Sequence, residues 1–233
     1  MKNEGNPSFL FLIREIWKGN GLWRALMHSH MSRLDFKGIV YDLGSGTKQD
    51  YFSYVTRAEK IKLKNFDQKG TKDTPPVNVE KDPIPEADNS ADMVLMSNIL
   101  EHIYNYDFSL KEAYRVLKPG GRLVGFVPFF CHYHPGPHDY FRYTDEALKI
   151  MFLNAGFKKN EERYKIEPLG FGPCTVSYHC VFYLAFPKRA RRRIKLIAFA
   201  IMPIALFGDW LMRKIYPNLK RDFPLGYAFE IEK

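Results

Sequence analysis

Residues 38–47 read GIVYDLGSGT, and the organisation of the chain follows from how that stretch folds. Ile39, Val40 and Tyr41 suit a buried strand, and Asp42 leads into Gly44 and Gly46. Two glycines at that spacing permit a tight strand-to-helix turn and let a ligand approach the backbone closely. A plain structural turn would use the same residues. Working outward, short apolar runs alternate with helical patterns, which predicts an α/β fold with a mostly parallel sheet covered by helices. Strands are expected at 38–43, 61–66, 76–80, 92–97, 122–129, near 157–165 and at 225–231, giving seven. Between the fourth and fifth of these lies SLKEAYRVLKPGG, where Ser109 and Glu112 have capping-box spacing and Pro119, Gly120 and Gly121 end the helix. A helix from Thr144 to Ala155 carries Asp145 and Glu146 in its first turn and stops at Gly156.

At 233 residues the chain is long enough for one sizeable core. Its three cysteines, Cys131, Cys174 and Cys180, are too few and too unevenly spaced for a disulfide framework or a zinc ribbon. The N-terminal apolar run, Phe9–Ile13, is too short for a signal peptide, so a cytoplasmic protein is expected. The formal net charge of +9 is localised: residues 187–221 hold ten Lys or Arg against the single acid Asp209, and the remainder is neutral. Residues 8–35 form one or two helices interrupted at Gly19–Gly21.

Asp67 ends the second expected strand, 21 residues after Gly46. A carboxylate there could accept hydrogen bonds from both hydroxyls of a ribose, or could be an ordinary solvated strand-end acid. The dinucleotide fingerprint G-x-G-x-x-G fails, because Gln49 and Lys48 occupy the places where its third glycine would stand. Asp50 would also put a carboxylate where a pyrophosphate wants none. A nucleoside ligand without phosphates fits better.

The ordered set VYDLGSGT, NFD, VNVEKDPIP, DNSADMVLMSNILEHI, EAYRVLKPGGRLVGFVPFF and HDYFRYTDEALKIMFLNAGF resembles the class I S-adenosylmethionine-dependent methyltransferases. Within them it is most similar to small members of surface-polysaccharide or lipid pathways. The resemblance covers residues 38–165 and the final strand. It implies a Rossmann-like seven-stranded sheet and S-adenosyl-L-methionine as cofactor. It further implies that Asp42, Gly44, Ser45 and Gly46 line the methionine end, that Asp67 binds the ribose, that Asn78 and Val79 flank the adenine, and that Ser97 and Asn98 face the sulfonium. Asn78 stands where the family usually has aspartate, and Lys48 where it often has a third glycine. His102, in LEHI, recurs in the family at the cofactor-side helix start, as a cap or a catalytic group.

Ligands of open parallel sheets bind beyond the carboxyl ends of the strands. The stretch VPFFCHYHPGPHDYFRYT, 127–144, begins at such an end and holds His132, His134 and His138. Three imidazoles could bind a metal. No carboxylate or thiolate pair completes a familiar motif, and methyl transfer from a sulfonium needs no Lewis acid, so no metal is expected. Acceptor recognition suits the stretch better. His138 is expected as the general base that takes a proton from an acceptor hydroxyl, with Asp139 as its orienter. Phe129, His134, Tyr140 and Arg142 are expected to contact the acceptor. A packed loop whose histidines satisfy backbone groups is the alternative.

Residues 168–187 carry no charge, KRARRRIK (188–195) follows, and 196–208 is apolar again with Pro203 inside. The first segment is broken by Pro168, Gly170, Gly172 and Pro173 and the second is too short, so neither spans a membrane. A hairpin would also carry the basic run to the wrong side. The segment is expected to be a lid, or to lie on an anionic membrane surface through Phe199, Phe207, Trp210, Met212 and the flanking basic residues.

The organisation expected is therefore an N-terminal helical cap (1–37), a cofactor-binding core (38–165), a basic and apolar helical insertion (166–221) and a last core strand (222–233). The activity expected is O-methylation of a small, glycan-related or lipid-linked acceptor at or near the inner membrane face. An RNA or protein methyltransferase using the basic patch, and a non-catalytic cofactor-binding or membrane-associated protein, are the alternatives.

Overall fold

The structure, a computed structural model, describes residues 7–44, 50–158, 163–185 and 191–233. The chain divides into two compact units. One comprises residues up to Met31, Pro128–His132 and Pro168–Gly226; the other comprises Ser32–Val127, Tyr133–Glu167 and Tyr227–Lys233.

The second unit carries most of the sheet. Strands β1 (Asp35–Leu43), β2 (Arg57–Phe66) and β3 (Ala91–Ser97) precede helix α1 (Tyr106–Val116), strand β4 (Leu117–Pro128) and helix α2 (Asp145–Asn154). Strand β5 (Tyr164–Leu169) and strand β6 (Gly226–Glu232) complete a six-stranded sheet of order β2-β1-β3-β4-β6-β5. β1 runs parallel to β2 and β3, and β3 parallel to β4. β6 is antiparallel to β4, because Gly120 bonds Lys233 while Phe129 bonds Leu225. Residues 93–96 of β3 and 123–128 of β4 are buried, as apolar strands with both faces covered must be. Gly125 of β4 leaves room for a neighbour: a Cβ there would lie 2.2 Å from the Met96 carbonyl and 2.3 Å from the Phe229 ring.

The seventh strand expected at 76–80 does not form. Pro75 and Pro76 lack amide donors, so the segment cannot join a ladder. It crosses the end of β2 instead, with the Val77 amide on the Asp67 carbonyl at 2.8 Å and the Thr74 hydroxyl on the Asn65 carbonyl at 2.6 Å. The capping box is also corrected. α1 begins at Tyr106, three residues before Ser109, whose buried hydroxyl donates to the Val79 carbonyl at 2.7 Å. Glu112 accepts the Ile84 amide at 2.8 Å and two bonds from Arg115. The helix ends at Val116, and Pro119 and Gly120 fall within β4. α2 starts as expected, with the Thr144 hydroxyl accepting the Ala147 amide at 3.2 Å.

In the first unit, helix α3 (Phe9–Trp17) is capped by Ser8, and helix α4 (Leu22–Met31) resumes after the break at Gly19–Gly21. Glu15 is wholly buried but compensated by Lys18 at 3.1 Å, Asn20 at 2.7 Å and His28 at 2.9 Å. Helices α5 (Pro173–Ala185), α6 (Arg191–Met212) and α7 (Leu219–Asp222) form the insertion. α5 opens on a carboxylate from α6: buried Asp209 accepts the amides of Cys174 and Thr175 at 2.8 and 2.9 Å. Among the described residues no helix is long and apolar enough to cross a membrane.

Candidate active site

Because β1, β2, β3 and β4 are parallel, their carboxyl ends meet at one edge of the sheet, and Gly44, Asp67, Asn78, Val79 and His138 of the predicted residues line one cleft there. Leaving β1, Gly44 has φ +80° and donates its amide to the Phe66 carbonyl at 2.9 Å. A Cβ at Gly44 would lie 2.4 Å from Ile99, so only glycine fits. Asp42 is fully buried and accepts a hydrogen bond from the Tyr51 hydroxyl. Ser45 and Gly46, like Lys48 and Gln49, lie outside the described residues.

Leaving β2, Asp67 is 7% exposed. Its Oδ1 accepts the Lys69 amide at 2.8 Å, while its Oδ2 is buried with no hydrogen-bond partner. A buried carboxylate oxygen left in that state is costly unless a ligand satisfies it. Asn78 follows, held in a turn by its Oδ1 on the Glu80 amide at 3.1 Å and its own amide on Asp82 at 2.9 Å. At the end of β3, Ser97 pairs with Phe126 and Asn98 adopts φ +51° with its amide on the Phe126 carbonyl.

Gly44, Asp67, Asn78 and Val79 line one wall of a cleft of about 230 Å³, and His102, Ile103, Gly136, Pro137 and His138 line the facing wall. Asp42, Ser97 and Asn98 are not among its lining residues. The facing wall is tied down. The Nδ1 of His102 bonds the His138 carbonyl at 2.5 Å, the Tyr140 amide bonds the Glu101 carbonyl at 2.8 Å, and the Tyr143 hydroxyl bonds the Leu100 carbonyl at 3.1 Å.

The pairing expected of Asp139 with His138 is not what forms. Asp139 receives two bonds from Arg142, at 2.5 and 2.7 Å, and the His134 amide at 2.8 Å. The guanidinium holds its carboxyl down to about 2. His138 instead stacks on Tyr140, with ring centroids 5.2 Å apart. His134 and Arg142, expected at the acceptor, surround Asp139. Phe129 belongs to the other unit, where its amide bonds the Leu225 carbonyl and its ring meets Phe130.

Sequence reasoning missed Ile103, Gly136 and Pro137 as cleft residues, and it missed Glu101. Glu101 is wholly buried immediately before His102, at the exit of β3. The signal was present: an acid beside a histidine just past a strand's carboxyl end.

S-adenosylmethionine fits these residues by one structural criterion above the others. The cleft presents an unsatisfied buried acceptor at the end of β2, with a glycine at the end of β1 on the same wall.

Comparison with known proteins agrees. Residues 43–125 match the methyltransferase domain family model. The ubiquinone/menaquinone biosynthesis C-methyltransferase UbiE of Pseudoalteromonas translucida is 34% identical over 130 residues, 51% of each chain. The chain spans about half or less of the length of the curated relatives it matches. Among solved structures, a SAM-dependent methyltransferase from Archaeoglobus fulgidus aligns with TM-score 0.52 at 17% identity, over 97% of this chain and 100% of that one. Phosphoethanolamine N-methyltransferase 2 of Haemonchus contortus, in complex with S-adenosyl-L-methionine, aligns with TM-score 0.55 at 15% identity, over 96% of this chain and 56% of that one. The structural matches share the fold.

Proposed function

We propose that this chain, whose residues 43–125 form a methyltransferase domain within a class I S-adenosylmethionine-dependent methyltransferase fold, methylates an oxygen of a small, glycan-related or lipid-linked acceptor. The observation that carries this is the two-walled cleft, with the orphaned Oδ2 of Asp67 on one side and His138 on the other.

When bound, S-adenosylmethionine supplies an electrophilic methyl group carried on a sulfonium. Asp67 would hold the ribose hydroxyls, Gly44 with Ser45 and Gly46 would admit the methionine end, and Asn78 and Val79 would flank the adenine. Asp42, Ser97 and Asn98 would act from behind, by fixing the strand ends. On the facing wall His138 would take the acceptor's hydroxyl proton as the new bond to oxygen forms and the sulfonium–methyl bond breaks. Asp139 would keep the loop in shape through Arg142 and His134. Tyr140 would support His138. Alignment of acceptor and donor in such a site is worth about 7–11 kcal/mol of the barrier.

A second reading follows from the relatives, which are named as quinone-pathway C-methyltransferases. Methylation at a carbon of a hydroxylated ring would use the same base: loss of the hydroxyl proton drives electron density onto the ring, the ring carbon takes the methyl as the sulfonium–methyl bond breaks, and that carbon's own proton then leaves to solvent to restore the ring.

Membrane contact would bring a lipid-linked acceptor within reach. On α6 the exposed residues Ile197, Ile201, Ile204, Phe207 and Leu211 recur at helical spacing, and Lys214 lies 4.0 Å over the Trp210 ring.

The test is transfer of labelled methyl from S-adenosylmethionine to glycan, lipid and quinone extracts, with products read by mass spectrometry and NMR. A methyl ether supports the first reading and a C-methyl group the second. Labelled RNA or protein alone would replace both, and cofactor binding with no product from any pool would leave a non-catalytic binding protein.

A further inference from the structure

Three side chains adjoining the cleft gather around a point that nothing in methyl transfer requires. Glu101, His102 and His134 each offer one ligand atom, and the three atoms lie within 4.8 Å of one another. The Nε2 atoms of His102 and His134 stand 3.7 and 3.9 Å from the same oxygen, Oε1 of Glu101. Those separations are too long for hydrogen bonds. Accordingly neither oxygen of the Glu101 carboxylate has a hydrogen-bond partner, although the side chain is 0% exposed.

A buried carboxylate without hydrogen bonds is among the least favourable arrangements a folded chain can hold, and it persists where something else compensates it. The surroundings indicate what that is. Both imidazoles are held from behind through their Nδ1 atoms: His102 by the His138 carbonyl at 2.5 Å, and His134 by the Asp139 carboxylate at 3.4 Å. Donation from Nδ1 to a carbonyl leaves the His102 Nε2 with its lone pair; the His134 Nδ1 also lies 3.4 Å from a terminal nitrogen of Arg142, and its Nε2 likewise faces Glu101. Metal-ligating histidines are oriented by just such outer contacts. Asp139 is fixed in turn by Arg142, so the outer contact is itself braced.

We propose that Glu101, His102 and His134 bind one divalent transition-metal ion as a two-histidine, one-carboxylate site. Ligands at ~2.0–2.2 Å from a metal in tetrahedral geometry lie about 3.4 Å apart, so the two glutamate–histidine separations, 3.7 and 3.9 Å, need contract by only a few tenths of an ångström, with the two imidazoles drawing together around the ion. Three protein ligands leave at least one position open. His102 also lines the cleft, so that position adjoins the space where an acceptor would sit. The donor set of two imidazoles and one carboxylate favours zinc, manganese or iron(II) over magnesium. The histidine triplet of residues 132–138 does not assemble as one site. His134 gathers instead with Glu101 and His102, from the segment that follows β3.

The site stands independently of the methyl-transfer activity, and its test is separate. Chelator-treated full-length protein is titrated with Zn²⁺ and with Mn²⁺ by calorimetry, alongside Glu101→Gln and the double variant His102→Gln/His134→Gln. The expected result is one ion per chain for the wild type, with affinity falling at least about 100-fold in either variant. The metal-free Glu101→Gln protein should also melt at or above the metal-free wild type, because the buried unpaired charge is gone. Added metal should raise the wild-type melting temperature and leave that of the variant unchanged. A merely structural carboxylate would give the opposite order. A Co²⁺ spectrum of the wild type reports ligand geometry without any variant. No stoichiometric ion, or equal binding by wild type and variants, overturns the site. An Asp67→Ala protein that loses S-adenosylmethionine but keeps the ion would show that the two sites fail separately.

Discussion

The carboxylate of Asp139 is bound by both terminal nitrogens of Arg142, at 2.5 and 2.7 Å, although the side chain next to it in sequence is His138. Asp139 is 1% exposed and Arg142 25% exposed, so this pair is desolvated on the carboxylate side. Its work is to hold the loop after β4. Removing the guanidinium should therefore be costly in a way that removing the neighbouring imidazole is not.

Arg142→Met is expected to destabilise the protein by about 3 kcal/mol, by leaving a buried carboxylate unpaired. His138→Gln, at an exposed ring that stacks on Tyr140, should cost less than about 1 kcal/mol. Urea unfolding of the two variants decides the matter. Equal losses would mean that Asp139 is not anchored as described.

Asp67→Ala should weaken S-adenosylmethionine and S-adenosylhomocysteine binding alike, by about 10–100-fold, since hydrogen bonds to a charged group contribute ~1.5–3 kcal/mol. Calorimetry with both ligands checks it. Unchanged affinity in a folded variant would remove the ribose assignment.

Glu112 ties α1 to the segment around Ile84, and its carboxyl is held below its ordinary value by Arg115, against a smaller opposing effect of burial. A depressed folded value means that its stabilisation is complete above the unfolded value, near 4.5, and is lost as pH falls through the folded one. Glu112→Gln should thus cost ~1–2 kcal/mol at pH 7 and progressively less below about pH 4.5. A pH-independent difference in denaturation midpoints would contradict this.

Gly125→Ala should lower stability by about 2–3 kcal/mol or prevent folding, because the added methyl meets backbone as well as the Phe229 ring. Pairing it with Phe229→Leu should recover only part of the loss, the Met96 carbonyl being unable to yield. Full recovery would place the clash on the ring alone.

Sedimentation with vesicles rich in anionic lipid should carry the wild type down at low salt and release it at high salt. Ile204→Asp, on the exposed apolar stripe of α6, should abolish the association without altering cofactor affinity. Retention of Ile204→Asp on the vesicles would remove α6 as the contact.

Much of the sheet was legible because its strands advertise themselves: residues 39–41 and 93–96 are short apolar runs of the kind a covered parallel sheet accommodates. The strand expected at 76–80 was misjudged because Val77 and Val79 suggest alternation, while the missing amides of Pro75 and Pro76 decide against it. Asp67 was legible from its position at a strand end. The partner of Asp139 was not, since adjacency in sequence says nothing about the direction in which a loop side chain points. Glu101 went unnoticed for a related reason: its significance depends on burial and on His134, which is distant in sequence and close only in the folded chain.

The bonds from residues 138–143 back to Leu100, Glu101 and His102 have a consequence for how this cleft meets its ligands. A wall fastened in this way is finished before anything arrives. Little conformational freedom remains to be surrendered on association, so encounter should be gated by diffusion rather than by loop closure. Discrimination among acceptors then rests on fit to a fixed surface, and poorly shaped molecules are rejected at entry.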